Sequence, residues 1–145
     1  PTAKAFPFCD SIPLTEPGNR DACYGGFGKE FIGFVADRDI RVSSLESITE
    51  SQLKEIHELC LLADNRDGTM SCIRSAANSL YWGGENDRSI AIRFCSVIED
   101  SFYQQGCFTN LIGSVNYYIK DPVYKREFCK EISTSYQQEC QERLL

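Results

Sequence analysis

The sequence predicts an all-α fold, a short disulfide-stapled α-solenoid of about three helical hairpins, and two observations carry that prediction. The first is a periodic cysteine array. Four times an apolar residue precedes a cysteine: Phe8-Cys9, Leu59-Cys60, Phe94-Cys95 and Phe128-Cys129. A second cysteine then follows, at Cys23, Cys72, Cys107 and Cys140, after 14, 12, 12 and 11 residues. From Cys60 to Cys95 and on to Cys129 the steps are 35 and 34 residues, a period typical of helix–turn–helix arrays. The second observation is an apolar stripe locked to that array. One, four and eight residues after the second cysteine lie Tyr24, Phe27 and Phe31, then Ile73, Ala76 and Leu80, then Phe108, Leu111 and Val115. Spacing of three and four places such residues on one face of a helix.

The 145 residues read as one domain, with units at about 8–58, 59–93 and 94–127 and a half-unit at 128–145. Within each unit the stripe predicts a first helix near 21–35, 71–82 and 105–118. A second helix runs into the next apolar-cysteine pair, over Glu50–Ala63, Asp87–Asp100 and Pro122–Ser133. Start and stop signals agree. Thr49-Glu50-Ser51-Gln52 has capping-box form, Asp121-Pro122 sets an N-cap before a first-turn proline, and Gly83-Gly84 stops a helix. Extra residues fill Asp37 to Ile48 of the first unit, with Val42-Ser43-Ser44-Leu45 as a short extended or turn segment. After Cys140 only five residues remain, so the fourth unit is expected to lack its helix. Before Cys9 there is too little chain for one.

Cysteine spacing also fixes the chemistry of the sulfurs. No two cysteines are closer than 11 residues, and His57 is the only histidine, so zinc, haem and iron–sulfur spacings are absent. An even count without metal spacing reads as disulfides and an oxidising compartment, secreted or periplasmic. The chain opens at Pro1 without Met, as expected where a leader has been removed or where the chain is a fragment of something longer. On a continuous helix, residues twelve apart lie about 18 Å from each other. A disulfide needs Cα atoms within about 7 Å. Local pairing therefore demands a chain reversal inside each gap. Turn residues supply it at 13–19, at 64–69 and, more weakly, at Ser133-Thr134-Ser135, whereas Glu99 to Gln105 tolerates a helix. With the reversal between Cys95 and Cys107 taken by analogy with the other three, the pairs predicted are Cys9–Cys23, Cys60–Cys72, Cys95–Cys107 and Cys129–Cys140. The rival scheme links Cys72–Cys95 and Cys107–Cys129.

These residues resemble helical repeats of the tetratricopeptide superfamily, particularly its cysteine-rich extracytoplasmic members. The resemblance rests on Phe94-Cys95, Cys107-Phe108, Leu111 and Gly113, followed by Asp121-Pro122, Phe128-Cys129 and Cys140, and spans residues 59–140. In that family a disulfide links the second helix of one repeat to the first helix of the next. The resemblance implies no catalytic residue. It implies scaffolding, or peptide and protein binding on a curved surface.

Composition removes other functions. Net charge is −6, and the basic residues are dispersed among carboxylates, so no footprint for nucleic acid or anionic membrane exists. No apolar run is long enough to span a bilayer. Tyr24-Gly25-Gly26-Phe27-Gly28-Lys29 lacks the strand and Lys-Ser/Thr ending of a phosphate loop, and its glycines read as close helix packing. Asp64-Asn65-Arg66-Asp67-Gly68 has Ala63 and Arg74 where a calcium loop requires Asp and Glu, and reads as a turn. His57 has no partner placed to act with it and reads as a surface histidine. No catalytic residue, metal site or cofactor is expected. The remaining candidates are Tyr81-Trp82 and Tyr117-Tyr118, at matching helix ends, with Phe34 near the equivalent place in the first unit. Exposed together they would form a stacking surface for protein or peptide, or for glycan; buried, they are core between repeats. The function expected is an extracytoplasmic binding or scaffold module. A secreted carrier of a small apolar ligand is the alternative, and a small enzyme ranks below both.

Overall fold

A computed structural model describes residues 6–36, 48–83 and 87–145. Among them are eight helices and no strand: α1 (Phe6–Asp10), α2 (Pro17–Ala36), α3 (Glu50–Cys60), α4 (Arg66–Trp82), α5 (Arg88–Ser96), α6 (Ser101–Tyr118), α7 (Pro122–Glu131) and α8 (Thr134–Leu144). The segment carrying Val42-Ser43-Ser44-Leu45 lies outside the described residues, as does Gly84. No described helix is long and apolar enough to cross a membrane.

Four disulfides join Cys9–Cys23, Cys60–Cys72, Cys95–Cys107 and Cys129–Cys140, with Cα separations of 5.5 to 5.6 Å. The local pairing is therefore the one present, and no free cysteine remains. Every bridge has the same construction. It ties the end of a short helix to the seventh residue of the long helix that follows it, at Cys23 in α2, Cys72 in α4, Cys107 in α6 and Cys140 in α8. Chain reversal is thus confined to Ser11–Glu16, Leu61–Asn65, Val97–Asp100 and Ile132–Ser133. Each closed loop contributes roughly 3 kcal/mol by restricting the unfolded chain.

This construction corrects three expectations from the sequence. The long helices begin about a turn earlier than the stripe implied, because Asn65, read as a turn former, and Asp100, read as the end of the preceding helix, serve as caps. Asn65 Oδ1 accepts from Gly68 N at 2.6 Å, and Asp100 Oδ1 accepts from Phe102 N and Tyr103 N at 2.9 and 3.2 Å. These bonds satisfy first-turn amides that have no partner inside the helix. The short helices correspondingly stop sooner, at Cys60, Ser96 and Glu131. Finally, the fourth unit does possess the long helix expected to be missing, α8. Because α8 starts six residues before Cys140, counting only from the cysteine onward missed it. A five-residue α1 likewise precedes the first turn.

A recurring clamp accompanies the bridges. Three residues before the second cysteine, a long polar side chain reaches back to carbonyls at the end of the preceding helix. Arg20 Nη1 donates to Asp10 O and Ile12 O at 3.1 and 2.8 Å. Gln104 Nε2 donates most closely to Ile98 O, at 2.9 Å, and Gln137 Nε2 donates to Lys130 O and Ile132 O at 3.2 Å. Those carbonyls are the ones a helix C-terminus leaves unpaired. Thr69 holds the same place in the second unit and is buried.

The long helices contact one another in succession, α2 with α4, α4 with α6 and α6 with α8, and the short helices do the same, α3 with α5 and α5 with α7. Between the rows lies the core, with Leu53, Ile56, Ile73, Leu80, Phe94, Phe108, Leu111 and Phe128 among its fully buried side chains. The closest backbone approach is at Gly28, where a Cβ would collide with the Cys72 carbonyl and crowd Ala76 N. Two residues away, Gly26 faces open space. Tyr24 adds a polar tie across three elements, donating to Asp10 Oδ1 and accepting from Asn65 Nδ2 at 3.1 Å.

Gly28 and Gly26 give opposite predictions on one helix. Gly28→Ala forces α2 away from α4 and should lower stability by about 1–3 kcal/mol in denaturant unfolding. Gly26→Ala should raise it by about 0.5–1 kcal/mol through helix propensity alone. Removing one clamp, Gln104→Ala, leaves turn carbonyls unpaired. It should cost about 1–2 kcal/mol by the same measurement, with all four bridges still formed.

Candidate functional site

Four aromatic residues end two neighbouring helices, but they do not form one surface. On α4, adjacent residues diverge by about 100°, so Tyr81 and Trp82 have different fates. Tyr81 is fully buried and turns toward α7, where its hydroxyl shares a hydrogen bond with that of Tyr124. Arg88 lies over the Tyr124 ring, 4.6 Å from its centre, and grips Glu131 through Nε and Nη2 at 2.8 and 2.6 Å. Burial first, and then the bond to Tyr124, push the Tyr81 hydroxyl far above its ordinary pKa. Tyr81 is therefore a core residue joining α4 to α7, and the expectation that it belongs to an exposed surface is corrected.

Trp82 is half-buried, with its ring 5.2 Å from that of Tyr118 at a steep angle. Tyr117 and Tyr118 are exposed at 73% and 63%, with ring centres 4.8 Å apart and planes 81° from parallel. Edge-to-face contacts of this kind hold aromatic rings in fixed relative orientation. Trp82 thus packs against Tyr118, and both tyrosines are exposed. Phe34, at the end of α2, is also exposed.

Beside the tyrosines lies an open depression of about 390 Å³, lined by Asn110, Gly113, Ser114, Tyr117 and Tyr118. All five lie on α6, spaced by three, four, seven and eight residues, so they share one helical face. That face is not the apolar stripe of Phe108, Leu111 and Val115 but its neighbour. Asn78 on α4 organises it: its Oδ1 accepts from Asn110 Nδ2 at 2.9 Å and from Ser114 Oγ at 3.3 Å. Gly113 leaves the floor open. On the neighbouring α8, Arg143 donates to Thr109 O at 3.4 Å and pairs with Glu139 at 3.3 Å. Asn110 and Ser114 were not singled out from the sequence, and Gly113 was noted only within the repeat pattern, because polar and small residues beside an apolar stripe look like any solvated face.

Elsewhere the candidate chemistry resolves into structure. Gly25, Gly26 and Gly28 lie within α2. Asp64 and Asn65 belong to the turn and cap of α4. Among the described residues, no three His, Cys, Asp or Glu side chains gather as metal ligands. His57 is buried, at 9% exposure, and not on the surface as expected; it shares the inner face of α3 with Leu53, Ile56 and Cys60. Its Nδ1 has no hydrogen-bond partner among the described residues, and its ring meets Tyr103 edge-on at 6.3 Å. Burial lowers its pKa below the ordinary value, against smaller opposing effects of Asp100 and Glu58.

A histidine with a folded-state pKa below its unfolded value binds fewer protons when folded. Its neutral form is compatible with the fold, so stability should fall as pH drops through the unfolded pKa of about 6.5. Thermal melts at pH 7.5 and pH 5 should show a larger loss in wild type than in His57→Gln; equal losses would remove His57 as the cause.

No family model, curated protein or solved structure matches this chain.

Proposed function

We propose that this protein is a non-catalytic, extracytoplasmic binding module. Its helical hairpins would stack as a short α-solenoid and recognise a protein or peptide partner through Tyr117 and Tyr118. The observation that carries this reading is a pair of exposed tyrosines in edge-to-face contact, beside a depression in which Asn110 and Ser114 are held by Asn78. Rigid, amphipathic aromatic groups lose little freedom on binding and recur as energetic anchors of interfaces. Four bridges place the chain in an oxidising compartment, which supports secretion or periplasmic residence.

The openness of the depression favours an extended polypeptide over an enclosed apolar ligand, since carriers bury most of a ligand's surface. Its amide and hydroxyl lining also offers partners for peptide groups, which a lipid chain would leave unused.

The test uses immobilised, fully oxidised protein and extracellular or periplasmic fluid from the source. Wild type should retain a discrete partner. The double variant Tyr117→Ala/Tyr118→Ala, with an unchanged melting curve, should lose it by about tenfold or more, as expected when anchors are truncated. Undiminished retention would remove the tyrosine face from the account.

A further inference from the structure

The four bridges are built alike but not buried alike. Seven of the eight cysteines are at most 2% exposed, and Cys23 alone is only partly buried. The order of the helices explains the exception. Cys72, Cys107 and Cys140 lie on α4, α6 and α8, each of which packs against the long helix before it. Among the described residues α2 has no long helix before it, and Ala22 and Gly26, on either side of Cys23, are exposed. Both are small, so they screen the sulfur poorly.

Little besides this bridge holds α1. It is five residues long, too short to persist as an isolated helix, and its main contact is with α2. Phe6 packs against the rings of Tyr24, Phe27 and Phe31, with centres 5.5 to 5.9 Å apart. Asp10 meets Arg20 and Tyr24, and Arg20 also holds the carbonyls of Asp10 and Ile12. Accessible disulfides exchange with thiols more readily than buried ones, and elements with few contacts open at low free energy.

We propose that Cys9–Cys23 is a thiol-sensitive latch, opened by a dithiol oxidoreductase while the other three bridges stay closed. One thiolate of the reductant attacks the Cys23 sulfur, and the S–S bond breaks so that its electron pair leaves with Cys9. The second thiol of the reductant then attacks the mixed disulfide and releases Cys23. Two electrons pass to the bridge, the reductant becomes a disulfide, and its two protons end on the Cys9 and Cys23 thiols. Attack falls on Cys23 because Cys9 is fully buried. With the bond gone, α1 lifts from α2 and bares the face of Tyr24, Phe27 and Phe31. Tyr24 loses Asp10 as a partner and keeps Asn65, while α3 to α8 retain their own bridges.

The test exposes the native, fully oxidised chain to dithiothreitol and traps thiols at intervals by alkylation, read by peptide mass spectrometry. Cys9 and Cys23 should be labelled at least about tenfold faster than the other six cysteines, a ratio that denaturant abolishes. Glutathione in place of the dithiol should leave its mixed disulfide on Cys23 and not on Cys9. In the singly reduced protein, amide hydrogen exchange should rise across 6–12 and 24–31 and stay unchanged across 101–118. Arg20→Gln, which loosens the clamp, should speed reduction of this bridge alone by about fivefold. Cleavage of another bridge first, or of all four at similar rates, overturns the latch, as does glutathione found on Cys9. Rapid reduction without faster exchange in α1 and α2 overturns it too, since the strap then stays closed. The variant Cys9→Ser/Cys23→Ser should reproduce the open exchange pattern with α3 to α8 intact. Global unfolding of that variant would make the bridge a support of the whole fold and overturn a local switch.

Discussion

A covalent bridge placed six residues into a helix constrains more than the two sulfurs it joins. With Cα atoms 5.5 to 5.6 Å apart, the last turn of one helix must lie against the second turn of the next. Only a tight reversal of two to six residues can then connect them. The same geometry recurs four times, and long helices contact long helices in succession while α3, α5 and α7 contact one another in turn. The core between the two rows is filled by Phe, Ile and Leu. Local bridges of this kind also keep each unit closed if its neighbours open.

Polar side chains then adjust what the bridges impose. Arg20, Gln104 and Gln137 reach from equivalent places to carbonyls that the abrupt turns would strand. Asn78 and Tyr24 do similar service between units. Their effect on function is indirect but definite. By holding α4, α6 and α8 at fixed spacing, they set Trp82 against Tyr118. The candidate site is thus a by-product of how long helices pack in succession, not a separate loop or insertion.

Much of this was legible from residues alone. Cysteine pairing could be read because sulfur geometry is strict and turn chemistry lies inside three of the four gaps; the helical class followed from a stripe locked to the cysteines. Helix starts were not legible, because Asp and Asn favour turns and N-caps alike, and only the fold decides which role they play at Asn65 and Asp100. Tyr81 and Trp82 could not be told apart by periodicity, since both flank the edge of the stripe. His57 could have been placed correctly: with Leu53, Ile56 and Cys60 it completes a spacing of three, four and seven, and only its polarity argued for the surface.

The most direct measurement is the identity of the cross-linked peptides after proteolysis without reduction. Mass spectrometry should find Cys9 with Cys23, Cys60 with Cys72, Cys95 with Cys107 and Cys129 with Cys140, and no alkylatable thiol in the native protein. Peptides joining Cys72 to Cys95 or Cys107 to Cys129, or free thiols at any of the eight positions, would contradict the stapled hairpin on which the helix rows and the binding face are built.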